Sequence, residues 1–530
     1  MGLFKKVTRF AKKIIAGEID TKDRKKIAER TKTAHFNYRL SLDGEPSGKP
    51  FSLLVLGDSG AKGEAKNRVG TAMSSEQDIA FVLHLGDVVY LSGSKEGYPK
   101  RVITPYKHWL ANKNVKSHKE LLFNTPFLPI YGNHDYFDFA NVPLIGDIAG
   151  KISDEIGSGS HNGRVFEEAF VQADASLVNS GTLDYIPNKQ TRIPNRYYWF
   201  TYENCAFIAL DSNTLDGVKR LEKAESKALW LRRELARARA KHYERLLEVY
   251  EDAVEEKKIK EGAVRPLVDD LLEELAETQK EIVMLKKALK ADPRDYDEDQ
   301  LKWLRQILDH DDVKKKKWKI VYLHHPLYTS EQSHTDDPES IGLRKNLREI
   351  FVKGGVQLVL TGHSHCFEWL ARKVEEDDPL AGERKICYII SGGGGRELRQ
   401  SVLEVEIPAL KLDDFEAHPD RIKQLQFLDV AESKAFTAHH KVNGQDEEVY
   451  HYLRIDVGDE VLKVFPMGVL EKEGVPPLSP IPIKRLLPQE PVADEDRPAT
   501  MRSIDVVKTE LRCINVFPYR APEPEPAFES

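Results

Sequence analysis

Five short apolar runs, residues 51–56, 79–85, 127–131, 319–323 and 357–360, are each followed within a few residues by side chains that bind metals or move protons. Runs of this length, rich in β-branched and aromatic residues, read as buried strands. The helical stretches between several of them read as the crossovers of an α/β fold. The first run leads into Gly57-Asp58-Ser59-Gly60, the second into Gly86-Asp87-Val88-Val89-Tyr90, and the third into Gly132-Asn133-His134-Asp135. The fourth leads into His324-His325-Pro326 and the fifth into Gly362-His363-Ser364-His365. A lone aspartate after a strand often only caps the next helix. An amide, an imidazole and a carboxylate at one strand end, with imidazoles at two others, exceed what capping requires. Ligands of open α/β sheets gather outside the carboxyl ends of the strands, so groups scattered from Asp58 to His365 can converge on one crevice.

Carboxylate, amide and imidazole donors without a thiolate suit iron, manganese or zinc, and not a structural zinc knot. Two adjacent ions need a shared anion, and Asp87 on a central strand is the candidate. Residues two apart in extended backbone point the same way, so His363 and His365 can each take one ion while Ser364 faces elsewhere. Neighbours point differently, so Asn133 can coordinate through its amide oxygen while His134 reaches the substrate. Two close cations lower the pKa of a bound water, so that a hydroxide exists near neutral pH. His134 would hydrogen-bond the substrate or protonate a leaving oxygen, and Asp135 either orients it or only caps the loop. The glycine run 392–395 reads either as a phosphate cradle or, lacking a following Lys-Ser/Thr pair, as a turn at the rim of the site.

The remaining runs at 197–201, 206–210, 386–390, 450–456 and 461–465 read as antiparallel strands, which makes two packed sheets the expected architecture. Residues 215–292 differ in texture, being rich in Glu, Lys, Arg, Leu and Ala. Leu271, Leu275, Thr278, Ile282, Leu285 and Leu289 alternate spacings of four and three, as do Ala236, Ala240, Tyr243, Leu247, Tyr250 and Val254. This is an inserted helical hairpin, either an antiparallel coiled coil closed on itself or a surface for a partner or a second copy. Residues 1–16 form a basic amphipathic helix, suited to an anionic membrane surface or to docking on the body of the protein. The organisation expected is therefore this helix and a linker over 1–48, a catalytic domain over 49–470 and a proline-rich tail over 471–530.

The five motifs resemble, in order, the five blocks of the calcineurin-like metallophosphoesterases, and most closely their purple acid phosphatase branch. The broader superfamily usually carries a histidine two residues after the first aspartate, where this chain has Gly60. The purple branch lacks it and has a tyrosine after the second aspartate, where this chain has Tyr90. Outside the blocks, Tyr197-Tyr-Trp-Phe, Phe207-Ile-Ala-Leu-Asp211-Ser and Gln300-Leu-Lys-Trp-Leu304 extend the similarity over about residues 50–470. The resemblance implies a two-sheet β-sandwich flanked by helices. It further implies one metal on Asp58, Asp87, Tyr90 and His365 and another on Asp87, Asn133, His324 and His363. It makes His334, ten residues after His324, a substrate-contacting candidate, though the usual spacing is nine and a plain loop histidine is the alternative. His325 is expected to pack behind the site. A phenolate from Tyr90 would favour iron(III) beside a divalent iron, zinc or manganese ion, with two divalent ions as the alternative.

Composition narrows the functional classes. A net charge of −7 spread over residues of both signs gives no electrostatic reason for a nucleic-acid partner. Four widely spaced cysteines make neither a zinc knuckle nor a disulfide framework, and the N-terminus lacks an uninterrupted apolar stretch, so a cytoplasmic protein, peripheral to a membrane at most, is expected. The primary expectation is a phosphoesterase acting on phosphate mono- or diesters. The competing one is a catalytically weak, membrane-associated scaffold on the same fold.

Overall fold

The computed structural model describes residues 38–42, 48–136, 159–171, 182–184, 192–215, 223–255, 297–399 and 430–470 apart from short gaps within these spans. It also describes scattered positions between 260 and 289 and short strands at 481–482 and 514–516. The helix expected at 1–16 and most of the tail expected at 471–530 lie outside the described residues.

In chain order the strands are β1 (Arg39–Ser41), β2 (Phe51–Leu56), β3 (Ile79–His84), β4 (Phe127–Pro129), β5 (Thr182–Asp184), β6 (Tyr198–Tyr202) and β7 (Cys205–Ala209). After the insertion come β8 (Trp318–Tyr322), β9 (Leu358–Thr361), β10 (Phe367–Arg372) and β11 (Cys387–Ser391). The last strands are β12 (Val430–Ala435), β13 (His439–Val442), β14 (Gln445–Val457), β15 (Leu462–Leu470) and β16 (Ile481–Pro482). One sheet has the order β12-β10-β11-β9-β8-β7-β6-β1-β5 and the other β16-β15-β14-β2-β3-β4. The architecture is a two-sheet α/β sandwich flanked by helices, as the five runs imply.

Strand direction departs from expectation. The runs near 206–210 and 386–390 are not antiparallel to their partners throughout: β7 is parallel to β8, and β11 is parallel to β9. Helices make the difference at β8, because Glu298–Asp309 precedes it and Pro338–Gly354 joins it to β9, and a helical crossover returns the chain in the same direction. At β11 the chain instead reverses twice, through β10, which lies antiparallel on its other side. In the other sheet β2, β3 and β4 are parallel, and β13 to β16 with the strand Ile514–Val516 pair antiparallel. The carboxyl ends of β2, β3, β4, β8 and β9 carry the five motifs, three from one sheet and two from the other.

The sheets meet through aromatic rings. Phe81 of β3 contacts Phe200 and Phe207 edge-on at 5.4 and 5.1 Å, and Phe51 contacts Tyr202 at 4.8 Å. Such pairs contribute about 0.5–1.5 kcal/mol each beyond the area they bury. The inserted segment opens with the helix Lys223–Glu255. Its Ala240 and Leu247 cluster with Val268 and Leu275, while Leu229 and Leu285 pack with Ile341 of the helix Pro338–Gly354. The insertion thus has a small core of its own and a base seated on the catalytic body; the coiled-coil geometry stays an expectation. Among the described residues no helix is long and apolar enough to cross a membrane.

Candidate metal centre

The ligand loops begin with unusual backbone. Asp58, Asp87 and His363 adopt φ values of +58°, +56° and +69°, in the left-handed region. Non-glycine residues held there cost about 1–3 kcal/mol each, and such strain collects at functional sites. The turn at His363 also corrects the expectation of alternation in extended backbone, since β9 has already ended at Thr361. His363 and His365 still part from Ser364, whose hydroxyl donates to Thr329 Oγ1 at 3.1 Å.

Two groups of donors result. In the first, the Tyr90 hydroxyl donates to Asp58 Oδ1 at 2.8 Å and lies 3.1 Å from His365 Nε2. The other Asp58 oxygen accepts from the His363 amide at 2.8 Å. In the second group, Asn133 Oδ1 lies 3.0 Å from His324 Nε2 and 3.1 Å from His363 Nδ1. Asp87 stands between the groups: one oxygen is 3.5 Å from His324 Nε2, and its carboxylate also takes the Tyr90 hydroxyl. His324 Nδ1 lies 2.7 Å from the Leu85 carbonyl, which fixes that nitrogen as the donor and aims the Nε2 lone pair at the centre.

Gly60 shows why the histidine common at this place in the superfamily is absent. Its amide donates to Asp87 O at 3.1 Å and its carbonyl accepts from the Tyr90 amide at 3.0 Å. A Cβ there would lie 2.4 Å from the Val88 carbonyl, so the two aspartate loops touch where a side chain would otherwise sit.

Charge is concentrated out of water. Burial first, then the Asp87 carboxylate, pushes the Asp58 carboxyl well above its usual range, against the bonds from Tyr90 and His363. Burial acts the same way on Asp87, but the His324 and His134 imidazoles, the His134 amide and the Tyr90 hydroxyl outweigh it and hold Asp87 low. Burial and the two aspartates push the Tyr90 phenol well up, so it gives up its proton only to a cation placed beside it. Two carboxylates, a phenol, an amide oxygen and three imidazoles, with no thiolate, form a donor set that fits two hard or borderline cations sharing Asp87.

The His134 ring packs at a tilt against that of Tyr90, centroids 4.3 Å apart, and its backbone amide donates to Asp87 Oδ1 at 2.9 Å. The Asp135 carboxylate accepts from the amides of Asp87, Val88 and Gly132 at 2.9, 3.1 and 2.9 Å, contacts that build the loop. His325 sits behind the site against Ser212 Oγ at 2.9 Å. His334 lies at the site: its ring is 4.2 Å from that of His363, and Nδ1 is 2.6 Å from Asp337 Oδ2. Burial would lower the His334 pKa, but the Asp337 and Glu331 carboxylates outweigh it and raise it.

Several residues at the site escape a sequence reading. Asp337 Oδ2 is 3.6 Å from His363 Nε2. Its sequence signal, Asp before Pro338, reads as a helix start, yet its side chain makes no cap bond and takes His334 instead. Arg396 and Arg399, from the loop after β11, also reach the centre. Arg196 binds Asp211 at 2.7 Å and pairs with Asp297, and Tyr136 donates to the same Asp211 oxygen at 2.7 Å. This buried network ties the loop of Asn133 to the base of the insertion, where the Asp297 amide donates to Thr214 O at 2.8 Å.

Comparison with known proteins agrees with this geometry. Residues 260–367 match the calcineurin-like phosphoesterase family model. A probable purple acid phosphatase 20 of Arabidopsis thaliana is 30% identical over 97 residues, covering 18% of this chain and 22% of that protein. A phosphoenolpyruvate phosphatase of Allium cepa is 39% identical over 103 residues, covering 18% and 21%. An Fe(3+)-Zn(2+) purple acid phosphatase 12 of Arabidopsis thaliana is 32% identical over 104 residues, covering 18% and 22%. The matches thus span about a fifth of these relatives. Among solved structures, a purple acid phosphatase from yellow lupin (Lupinus luteus) seeds aligns with a TM-score of 0.42 at 12% identity, over 81% of this chain and 53% of that one, too remote to bear on function. Residues 260–367 thus resemble calcineurin-like phosphoesterases, and stretches of about a hundred residues resemble purple acid phosphatases.

Proposed function

We propose that this protein is a metal-dependent phosphoesterase that hydrolyses phosphate esters at a dinuclear centre. The observation that carries the reading is the convergence of seven donors from five strand ends into two groups joined by Asp87. Asp58, Asp87, Tyr90 and His365 would hold one ion, with the anionic phenolate favouring iron(III). Asp87, Asn133, His324 and His363 would hold a divalent iron, zinc or manganese ion. When bound, the ions supply Lewis acidity toward the phosphoryl oxygens and acidify the attacking water.

The chain's own groups do the rest. Asp87 is held in place by the His134 amide, so the loop that positions the shared ligand also carries the candidate proton donor. His134, buried against the Tyr90 ring, donates a proton from its imidazole to the leaving ester oxygen. His334, whose ring is held at Nδ1 by Asp337, would contact the substrate from beside His363. Asp135 is a positioning residue that holds the Asp87 and Gly132 amides in register. Metal-replete protein is expected to turn over p-nitrophenyl phosphate or its bis ester, and Asp87→Ala neither. Absence of turnover in the wild-type protein over a panel of metals would sink the reading.

A further inference from the structure

The glycine run 392–395 has no place in the ligand set, yet it lies against it. A Cβ on Gly392 would come 2.1 Å from Ser364 O, and one on Gly394 would come 2.3 Å from Gly57 O, so only glycine lets the loop press between the first and fifth motifs. Backbone bonds then fasten the loop to the ligands themselves. The Gly394 amide donates to Gly57 O and the Arg396 amide to Asp58 O, both at 3.0 Å, and the Arg399 amide donates to His365 O at 2.9 Å. The run is a spacer, and what it delivers is a pair of guanidinium groups.

One guanidinium stands at each donor group. Arg396 lies 4.9 Å over the ring of Tyr90, whose hydroxyl bonds Asp58 and His365. Arg399 Nη1 is 3.2 Å from Nε2 of His334, whose ring packs on His363. The Asp337 and Glu331 carboxylates face His334 beside Arg399. Arginine presents a planar fork of N–H donors matched to phosphate oxygens, which histidine and lysine do not.

We propose that Arg396 and Arg399 are specificity-determining residues, an oxyanion clamp that binds the unsubstituted oxygen of a terminal phosphate and so favours monoesters over diesters at this site. A terminal phosphate has three unsubstituted oxygens and about −1.5 to −2 charge at pH 7. Two of those oxygens can face the paired ions and the third the clamp. A diester has only two such oxygens and a single charge, so it leaves the guanidiniums with nothing to hold. The inference rests on the phosphoesterase reading for its substrate and on the loop geometry for its residues.

The test compares kcat/KM for p-nitrophenyl phosphate and bis(p-nitrophenyl) phosphate in metal-replete wild-type, Arg396→Gln, Arg399→Gln and Arg399→Lys proteins, with orthophosphate binding measured by calorimetry on each. The glutamine variants are expected to lower the monoester-to-diester ratio at least tenfold, chiefly through KM, and to weaken orthophosphate binding at least tenfold. Arg399→Lys, which keeps the charge and loses the fork, should restore only part of either. Arg399 is only partly buried, so its variants guard against misfolding of the buried Arg396 variant. An unchanged ratio in both glutamine variants overturns the clamp. Should wild-type protein hydrolyse neither ester, the phosphoesterase reading fails by itself, and orthophosphate binding decides the clamp: loss in both variants upholds it, and no change overturns it.

Discussion

Asn133 concentrates the argument at the scale of single residues. Its amide oxygen stands 3.0 Å from His324 Nε2 and 3.1 Å from His363 Nδ1, where all three atoms would face one ion. Asn133→Ala removes that oxygen from a partly exposed position at the end of a strand, so the core is untouched. Hydrolysis of p-nitrophenyl phosphate is expected to fall about 10³-fold or more, about 4 kcal/mol of barrier, with the thermal midpoint nearly unchanged. A variant within tenfold of wild type would show that the amide is not a ligand. Tyr90 gives a second, optical prediction. If its phenolate holds iron(III), the oxidised protein is coloured by charge transfer from tyrosinate, and Tyr90→Phe bleaches it. Colourless wild-type protein with full activity and only divalent metals would retain the phosphoesterase and discard the iron. The positions of the seven proposed ligands are legible in the sequence because each follows a strand within a few residues, whereas their assignment to two ions comes from the resemblance to metallophosphoesterases. Asp337, Arg396 and Arg399 are not legible, because each owes its position to a loop whose path depends on the packing of other loops against it.

At the scale of elements, what could be read was the existence of strands, and what could not was their direction. The run that became β7 has the same composition whether its neighbour lies parallel or antiparallel, and only the helices on either side of β8 decide. The helical character of the insertion is legible in its heptad-like spacing, and the helix Lys223–Glu255 agrees with it, but its anchorage is not legible. Asp211, Thr214, Asp297 and Gln300 look like loop and helix-cap residues in sequence. In the fold they surround Arg196, with Gln300 Nε2 3.1 Å from Thr214 Oγ1. This anchorage sharpens a deletion experiment. Replacing residues 219–292 with a short linker keeps the Arg196 network and is expected to leave hydrolysis of small esters within about tenfold, about 1.4 kcal/mol. A deletion that also removes Asp297 leaves Arg196 short of a carboxylate in a buried site, which costs about 3–5 kcal/mol of stability. Chemical denaturation separates the two deletion variants, and a large activity loss in the first would mean that the arms themselves build the active site.

At the scale of the whole molecule, the candidate metal centre joins the two sheets, so bound ions would bear on stability as well as chemistry. Asp58 and Asp87 come from the parallel strands of one sheet, His324 and His363 from those of the other, and the charges of the first pair are buried together. Burial and Asp87 hold the folded Asp58 carboxyl well above its ordinary 3.8. A group raised in this way contributes stability that is fully present below 3.8 and is lost as pH rises through its folded value. Cations bound there would favour the ionised forms of Asp58 and Tyr90, whose pKa values burial raises, so metal binding displaces protons. Binding then releases protons, and the gain in thermal midpoint on adding metal to chelated protein should be larger at pH 8 than at pH 5. At a free metal concentration about a thousandfold above Kd the stabilisation is about 4 kcal/mol. Calorimetry in two buffers of different ionisation enthalpy counts the protons released. An equal gain at both pH values, with no proton release, would mean that Asp58 and Tyr90 are already ionised before the metal arrives, and the buried pair would then have to be neutralised by the Arg396 and Arg399 loop instead.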